Sequence, residues 1–426
     1  ATGSNPGATV PLIIGSLPLG LVAIGDPSVH ARCERDCSRC RRSSHGGSSG
    51  VRRSRTARLT DNHDMGERVV DLWGGVAAPG RAWEYDTLVN VFSTTKGVSS
   101  IAVAHAHSRG LLDFDQPVAD IWPEFAAEGK GAITIRQLLS HQAGLCAIDA
   151  HLDLGVLADP DQVATAIAAQ KPAWTPGELH GYHGISLGWY ESELIRRVDP
   201  ERRTIGRYFA DEIAKPLGLD FHFGLPDDIP DERIARLHAP AYATRMVLNI
   251  RKLPSAFVRG FLTPGSLTAR TFSNPRVLGQ PARYNDRSML RIELPASNGV
   301  GTARSIAAVY GDLAIGSPIL GIGDSTLVNL REPAQDPSNG LFDQVLKQQT
   351  RFSLGVCKPW PGFEFGSPAA FGTPGAGGSF GFADPELGMG FAYVMNRMDY
   401  YLLSDPRELA VREAAQKCAR AHSARR

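Results

Sequence analysis

Strand patterns stand at both ends of the patterned part of this chain, and helical patterns fill the stretch between them. Residues 67–75 predict a strand that runs into a glycine turn. Residues 379–383 and 389–395 predict a hairpin around a turn at residues 384–388. This order predicts an α+β fold, in which an antiparallel sheet built from both ends is flanked by helices and carries an inserted helical domain.

The predicted domain boundaries follow from the same order. We expect a discontinuous α/β sheet domain formed by residues 58–110 and 285–426, and an inserted, mainly helical domain formed by residues 111–284. Residues 1–57 are atypical, because their second half consists mainly of Arg, Ser, Gly and Cys and offers little apolar surface to bury. We expect this N-terminal segment to be disordered.

Three cysteines of the N-terminal segment, Cys33, Cys37 and Cys40, have a spacing by which some enzymes hold an iron–sulfur cluster. Their neighbours are charged or small, so a disordered basic tract is the better interpretation, and we expect no metal and no cofactor. Gly and Pro interrupt the apolar run of residues 10–24, which argues against a transmembrane segment. We expect a cytoplasmic protein, with secretion or the cell envelope as the alternative, because residues 28–31 resemble a signal cleavage site.

The overall charge narrows the class of partner. The 426 residues carry a formal net charge of +1, and 42% of them are hydrophobic. Nucleic-acid phosphates attract strongly basic proteins, so we expect no nucleic-acid partner. The hydrophobic content is that of a globular protein with a sizeable core.

Ser93 and Lys96 are the first candidates for chemistry. They lie three residues apart at the start of an apolar stretch, residues 98–108, that predicts a buried helix ending near Gly110. Three residues is about one helical turn, so both side chains lie on the same face. Burial lowers the pKa of a lysine, and a neutral lysine can take the serine proton.

Two further side chains qualify as bases. Tyr182 lies in a Pro-Gly loop before an amphipathic helix; beside an ammonium it would ionise more easily, although simple packing of its ring is an equal alternative. His141 follows a helix that we expect Thr134 to cap and Gly144 to end, and we favour a structural role for it. Ser186 completes a G-x-S-x-G pattern, but no strand precedes it, so we reject it as the nucleophile.

Four segments in order resemble the serine β-lactamase/penicillin-binding-protein superfamily, and within it the class C-like esterases (family VIII carboxylesterases). The resemblance covers roughly residues 67–420, and four motifs in the right order are far more specific than any one of them. The segments are Ser93-Thr94-Thr95-Lys96-Gly97, Leu138-Leu139-Ser140-His141, Gly181-Tyr182-His183 and Phe371-Gly372-Thr373-Pro374-Gly375-Ala376-Gly377-Gly378.

The resemblance implies a role for each matching residue. Ser93 corresponds to the acylating nucleophile, Lys96 to the lysine that activates it, and Tyr182 to a tyrosine that acts as base and as proton donor to the leaving group. The backbone N–H groups of Ser93 and Ala376 correspond to an oxyanion hole, which contributes about 3–4 kcal/mol per donor. The residues expected to line the substrate site are Thr373, Gly375, Gly377, Gly378 and His183.

Two departures from the family pattern narrow the expected substrate. Gly184 stands where the family's Y-x-N motif has an asparagine that contacts the β-lactam amide. Thr373 stands where β-lactamases carry a lysine, so a penicillin carboxylate would lack its cation. Both changes favour an esterase over a lactamase.

The expected activity is hydrolysis of short- to medium-chain carboxylic esters through an acyl-serine intermediate, with a small-molecule ester as the substrate. A β-lactamase or D-amino-acid peptidase on the same scaffold is one alternative. A catalytically dead binding homologue is another, because only residues 10–21 could supply the family's first core strand. The residues that either wall the acyl pocket or merely fill the packing are Pro254, Phe257, Phe261, Leu262 and Phe272.

Overall fold

The protein is represented by a computed structural model that describes residues 19–20, 29–32, 67–68, 70–239, 249 and 252–423. The strands are β1 (Leu19–Gly20), β2 (Val29–Arg32), β3 (Glu67–Arg68), β4 (Asp71–Gly74), β5 (Val76–Ala78), β6 (Arg81–Ala82), β7 (Val89–Asn90), β8 (Phe221–His222), β9 (Val300–Gly301), β10 (Phe371–Pro374), β11 (Phe380–Asp384) and β12 (Met389–Tyr393).

The α-helices are α1 (Thr94–Ser108), α2 (Val118–Ile121), α3 (Ile135–Leu139), α4 (Leu154–Leu157), α5 (Pro160–Ala168), α6 (Ser186–Val198), α7 (Ile205–Phe209), α8 (Lys215–Leu217), α9 (Ser255–Leu262), α10 (Leu267–Phe272), α11 (Arg287–Leu290), α12 (Ala303–Ala314), α13 (Asp324–Arg331) and α14 (Pro406–Ser423). Short 3₁₀ helices lie at Pro123–Gly129, Asp231–Arg233, Arg276–Gly279 and Pro281–Asn285, and a π-helical turn lies at Ala210–Ala214. Within the described ranges, no helix is long and apolar enough to cross a membrane.

The main sheet has the strand order β10-β11-β12-β1-β3. Its β11–β12 hairpin pairs Phe380 with Tyr393 and Asp384 with Met389, which confirms the predicted hairpin. β10 is antiparallel to β11, whereas β1 runs parallel to both β12 and β3. The predicted α+β class is confirmed. The β10-β11-β12 part of the main sheet is antiparallel as predicted, whereas β1 makes the sheet mixed.

Both faces of the β11–β12 hairpin are covered, so every residue of the two strands is buried. Helix α12 packs on one face, where a Cβ atom on Gly390 would overlap the backbone of Ala307 and Gly311. Aromatic side chains cover the other face, where Phe365 contacts Phe380 with ring centroids 5.0 Å apart. A sheet buried on both sides explains why these strands are nearly continuous in apolar residues rather than alternating.

Two described strands fall within residues 1–57. β1 joins the main sheet and β2 pairs with β4, so these two segments are paired strands rather than the disordered chain that we expected. β1 also lies inside residues 10–21, the stretch that we named as the source of a first core strand. Cys33, Cys37 and Cys40 lie outside the described residues, and so does most of the apolar run of residues 10–24.

A second, three-stranded sheet has the order β7-β9-β8. Its strand β7 ends at Asn90, just before the Ser93 motif. β9 is antiparallel to both of its neighbours. Because β8 belongs to the predicted insertion, residues 111–284, this sheet ties that segment to the two flanking ones. The division into a sheet domain and an inserted domain stays a prediction.

Local sequence signals located the helix ends with mixed success. Gly110 follows α1 with φ +71°, in agreement with the predicted stop. Thr134 and Gln137 form the predicted capping box of α3. The prediction that Gly144 ends this helix was wrong: α3 stops at Leu139, because His141 already has a left-handed backbone with φ +64°.

Candidate active site

Ser93 stands at a strained junction between strand and helix. β7 ends at Asn90, α1 begins at Thr94, and Phe92 between them has φ +48°, a conformation that costs a non-glycine residue about 1–3 kcal/mol. The Asn90 side chain stabilises this turn, since its Oδ1 accepts the Phe92 N–H at 3.3 Å and its Nδ2 donates to the Ser297 carbonyl at 3.2 Å. Ser93 is therefore presented at the start of a fully packed helix while it remains partly accessible.

Lys96 lies one turn further along α1 and contacts Ser93, as the spacing predicts. Its Nζ is 3.1 Å from Ser93 Oγ, and it donates to the Ala296 carbonyl at 2.8 Å. The Nζ also lies 4.9 Å from the centre of the Tyr182 ring. Burial lowers the pKa of Lys96 to about 7, and the opposing influences of Glu191 and Cys357 are smaller. A substantial fraction of this lysine is therefore neutral near pH 7, the form that accepts a proton.

Glu191 on α6 is a buried carboxyl near Lys96 that the sequence reading missed. Its two oxygens contact the hydroxyls of Ser99 and Ser100, and each hydroxyl also contacts the Lys96 carbonyl. Each serine has one proton to donate, so a protonated Glu191 makes one more hydrogen bond here than an ionised one. Burial raises the pKa of Glu191 to about 8. Near neutral pH it is mostly uncharged and does little to hold Lys96 in its charged form.

Tyr182 completes the group around Ser93, since both residues line the same cavity and the two side chains interact electrostatically. Our expectation that the neighbouring ammonium would ease its ionisation was wrong. Burial raises the pKa of Tyr182 well above its ordinary value, and the influence of Ser93 offsets this rise only in part. A neutral phenol is a proton donor, so this residue is better suited to protonating a leaving group than to removing the Ser93 proton.

A polar cluster, which we define as His141, His180, His183, Asp343 and Thr350, lies behind Tyr182. His141 Nδ1 accepts the His183 backbone N–H at 3.1 Å and lies 3.0 Å from His183 Nδ1. His183 Nε2 accepts the Leu145 N–H at 3.2 Å. His183 is therefore a neutral ring protonated on Nδ1. Burial lowers the pKa of both histidines, that of His183 to about 3. This geometry supports the structural role that we favoured for His141.

Asp343 is the acceptor at the centre of the polar cluster. Its carboxylate receives the N–H groups of Tyr182 at 3.1 and 3.2 Å, of Val345 at 2.8 Å and of Leu346 at 2.7 Å. The Thr350 hydroxyl donates to it at 3.1 Å, and His180 Nε2 contacts that hydroxyl at 3.0 Å. Only donors face this fully buried carboxylate, so it anchors the Tyr182 backbone. Val345 and Leu346 lie two and three residues after Asp343, so these bonds form a local turn. The bond to Tyr182 joins residues 161 positions apart, and no local pattern predicts it.

The segment after β10 is attached to the start of α1. Ser379 Oγ donates to the Val91 carbonyl at 2.8 Å and accepts the Thr94 hydroxyl at 3.0 Å. This link brings Ala376 to the same cavity as Ser93. Among the described residues, neither the Ser93 N–H nor the Ala376 N–H has a hydrogen-bond acceptor. Both are free to bind an oxyanion.

A cavity of about 170 Å³ opens beside Ser93. Tyr182, Gly375 and Ala376 line it together with Ser93, as the sequence reading predicted for Gly375. The remaining wall is mostly apolar, and no Lys, Arg, His, Asp or Glu of the described chain lines it. We define the aromatic wall as Phe257, Phe261 and Phe272, whose ring centroids lie 6.1–6.2 Å from one another.

Four residues that we expected to line the substrate site do not reach the cavity: Thr373, Gly377, Gly378 and His183. Thr373 points toward Gly97 of α1, because successive side chains of a strand alternate between its faces. Gly377 packs against Met395 and Met398, and Gly378 lies against Asp405 and Arg407. Of the apolar candidates, Phe257, Phe261 and Phe272 line the cavity, whereas Leu262 is 49% exposed and Pro254 lies outside it.

Other sites suggested by the sequence carry no chemistry in the described structure. Ser186 begins α6 and is buried, and its hydroxyl donates to the Leu145 carbonyl at 2.8 Å, in agreement with its rejection as nucleophile. The part of the chain that the structure describes has no group of three or more His, Cys, Asp or Glu side chains placed to hold a metal ion.

Comparison with known proteins agrees with this geometry. Residues 61–416 match the family model described as Beta-lactamase. Esterase/beta-lactamase LipL of Mycobacterium tuberculosis is 34% identical over 346 residues, which cover 78% of this chain and 75% of that protein. The crystal structure of a family VIII carboxylesterase matches with a TM-score of 0.72 at 35% identity, covering 82% of this chain and 89% of its own.

A penicillin-binding protein homolog from Caulobacter crescentus gives a TM-score of 0.69, also at 35% identity, with coverage of 82% of this chain and 89% of its own. The family match spans well over half of the sequence, and both structural matches cover most of it. This chain belongs to the beta-lactamase family.

Proposed function

We propose that this protein hydrolyses carboxylic esters through an acyl-serine intermediate on Ser93. The observation that carries the proposal is the 3.1 Å contact between Lys96 Nζ and Ser93 Oγ, made by a buried lysine whose pKa is lowered to about 7. A lysine that is partly neutral at physiological pH can remove the serine proton without a histidine. The mostly apolar cavity beside it suits an uncharged ester.

In the proposed acylation step, neutral Lys96 takes the Ser93 proton while Oγ attacks the ester carbonyl. The free N–H groups of Ser93 and Ala376 stabilise the resulting oxyanion. Tyr182, a neutral phenol that lines the cavity beside Ser93, donates its proton to the departing alcohol. It recovers a proton from the Lys96 ammonium, whose Nζ lies 4.9 Å from the centre of its ring. In deacylation the same two residues activate water and return the proton to Ser93.

The substitution Ser93→Ala tests the nucleophile directly. We expect hydrolysis of p-nitrophenyl butyrate to fall to the background rate while circular dichroism and the melting temperature stay close to those of the parent. Ser186→Ala is the matched control, since it removes a buried hydroxyl outside the cavity. Retained activity in Ser93→Ala, or loss in Ser186→Ala alone with an intact fold, would overturn the assignment.

Hydrolysis of β-lactams or D-amino-acid peptides is the second candidate, favoured by the family and by the double name of LipL. The cavity argues against lactam or peptide hydrolysis as the main activity, because none of the described lining residues is a cation that could bind a substrate carboxylate. The test is the ratio of kcat/KM for a chromogenic cephalosporin to that for the butyrate ester. A ratio near one would make the lactam as good a substrate as the ester, and a ratio above one would make it the better substrate.

A catalytically dead binding homologue is the remaining alternative. A fluorophosphonate probe distinguishes it from an enzyme, because the probe reacts covalently only with an activated serine. We expect one equivalent of label on Ser93, located by mass spectrometry of the digested protein. An unlabelled, folded protein would support the binding homologue.

We further propose a cytoplasmic location. Cys146, Cys357 and Cys418 carry free thiols, which favours a reducing compartment. Fractionation of the source cells, with activity staining of each fraction, tests this location. Activity that is recovered with the extracellular or envelope fraction would contradict it.

A further inference from the structure

Gly184 lines the cavity two residues after Tyr182, and its missing side chain is a requirement of packing rather than of the backbone. The φ angle of Gly184 lies outside the left-handed region that favours glycine. A Cβ atom there would overlap Cε1 of Phe272 and lie 3.0 Å from Cζ of the same ring. It would also lie 2.9 Å from Thr271 Cγ2. The Phe272 ring thus occupies the space that a side chain at residue 184 would need.

The position of Phe272 is held from several sides. It is the last residue of α10, and Thr268 of this helix donates its hydroxyl to the Val345 carbonyl at 2.8 Å. Val345 belongs to the turn that Asp343 organises, so α10 is anchored to the same segment as Tyr182. On its other side the ring contacts Phe257 and Phe261 at centroid distances of 6.2 Å. A ring held in this way cannot yield easily to a longer substrate.

We propose that Phe272 sets the acyl-chain length that the enzyme accepts, and that Gly184 is present to make room for its ring. The substrates are esters of unsubstituted aliphatic acids of up to about six carbons. A cavity of about 150 Å³ holds a benzene ring, and this one measures about 170 Å³. The inference rests on the proposed ester hydrolysis and specifies its substrate class.

The acyl chain, rather than the alcohol, is the group that meets Phe272. During deacylation the acyl group stays covalently attached to Ser93, whereas the alcohol must leave and water must enter. An apolar wall therefore suits the group that remains. It also disfavours acyl groups with an amide or charge near the carbonyl, because a buried polar group without a partner is destabilised.

The test is a chain-length profile of p-nitrophenyl esters from acetate to decanoate for the parent and for Phe272→Ala. Each methylene that gains a buried position contributes up to about fourfold in kcat/KM. We expect the octanoate-to-butyrate ratio to rise at least tenfold in Phe272→Ala. Leu262→Ala is the matched control, since Leu262 belongs to the neighbouring helix α9 but is 49% exposed and lies outside the cavity. It should change the ratio by less than threefold.

The contact between Gly184 and Phe272 is tested by adding a methyl group at residue 184. Gly184→Ala should lower kcat/KM for butyrate at least tenfold. The Phe272→Ala background should abolish most of that loss, whereas the Leu262→Ala background should not. An unchanged chain-length ratio in Phe272→Ala, or a Gly184→Ala effect that is equal in both backgrounds, would overturn the proposal. A series of butyrate esters with longer alcohols is the counter-test: a shift there instead would assign Phe272 to the alcohol.

Fluorophosphonate labelling of Ser93 is measured in every variant. Labelled variants with an unchanged profile would disprove only the role of Phe272. An unlabelled, folded parent without ester hydrolysis would instead disprove the proposed function on which this inference depends. If Gly184→Ala fails to fold, the chain-length profile of Phe272→Ala alone still decides whether Phe272 sets the accepted acyl-chain length.

Discussion

Tyr182 separates two regions of opposite chemistry. Behind its backbone lies the polar cluster, in which Asp343 receives hydrogen bonds from Tyr182, Val345, Leu346 and Thr350. In front of it lies the aromatic wall, where Phe257, Phe261 and Phe272 touch one another and the cavity. The polar cluster binds the Tyr182 backbone, and the aromatic wall lines the same cavity as Tyr182. Directional bonds hold the polar cluster, whereas dispersion holds the aromatic wall.

This difference implies that the polar cluster and the aromatic wall have different roles. Hydrogen bonds to a buried carboxylate fix atoms within a few tenths of an ångström, and losing one leaves an unsatisfied buried group. Apolar contacts are individually weak and non-directional, so a wall of similar volume serves nearly as well. We therefore expect conservative changes to be damaging behind Tyr182 and tolerable in front of it, where they alter substrate preference.

The largest effect is expected at Lys96, whose Nζ contacts Ser93 Oγ and lies near the Tyr182 ring. Lys96→Met keeps most of the buried volume and removes the base, so kcat/KM should fall about 10³-fold, within the range known for general-base catalysis. Steady-state hydrolysis of the butyrate ester measures it. Lys358→Met is the control, because Lys358 is also a buried lysine with a lowered pKa, but its Nζ contacts the Arg331 carbonyl rather than Ser93. Equal losses in both variants would point to general damage rather than to a missing base.

The next effect is expected in the polar cluster. In Asp343→Asn an amide NH₂ must face N–H groups that now meet a carboxylate, which leaves at least one buried donor without an acceptor, a cost of about 1–3 kcal/mol. We expect kcat to fall about 10- to 100-fold with little change in KM, because Tyr182 loses its placement. Asp336→Asn, at a half-exposed ion pair with Arg351, is the control. A raised KM with kcat unchanged would place Asp343 in substrate binding instead.

The pH dependence comes third in size. The neutral form of Lys96 is the active base, so kcat/KM should be constant above its pKa of about 7 and fall tenfold per pH unit well below it. At pH 6 the rate constant should be about a tenth of its plateau value. Lys96→Arg cannot lose its proton and should show no recovery at high pH. A midpoint near pH 5 would indicate that another group is the base.

The smallest effect is expected in the aromatic wall. Phe261→Leu exchanges one apolar side chain for another, so kcat/KM for the butyrate ester should stay within about threefold of the parent. Thermal unfolding and the same steady-state assay check this together. A loss greater than tenfold would contradict the division between the two regions, because the wall would then be as demanding as the polar cluster.

Local signals in the sequence predicted a large part of the fold. The β11–β12 hairpin, the capping box at Thr134 and the stop at Gly110 depend on residues within a few positions of one another. The end of α3 was misplaced, because the left-handed conformation of His141 is supported by its contacts with His183, 42 residues away. Glu191 left a faint signal, a carboxyl on a buried face of an amphipathic helix. Asp343 makes a local turn with Val345 and Leu346, but nothing local predicts its bond to Tyr182.

The residues of the candidate site likewise divide into those that the sequence predicted and those that only the fold determines. The spacing of Ser93 and Lys96 and the motif order predicted which residues meet at the cavity, including Tyr182 and Ala376. The predicted lining was wrong at Thr373, Gly377, Gly378 and His183, because a strand's alternation and a loop's packing decide which residues face the cavity. The sequence raised the role of Phe272 only as one of two alternatives, and its contact with Gly184 spans 88 positions.

By itself the sequence determined the Ser93–Lys96 contact, because residues three apart on a helix are neighbours whatever surrounds them. Only the tertiary structure decided the direction of the pKa shift at Tyr182, the neutrality of Glu191 and the apolar wall beside Ser93. Helical spacing is set by the backbone within one turn. Desolvation depends instead on every atom brought near a group from any part of the chain, so it exists only after the chain has folded.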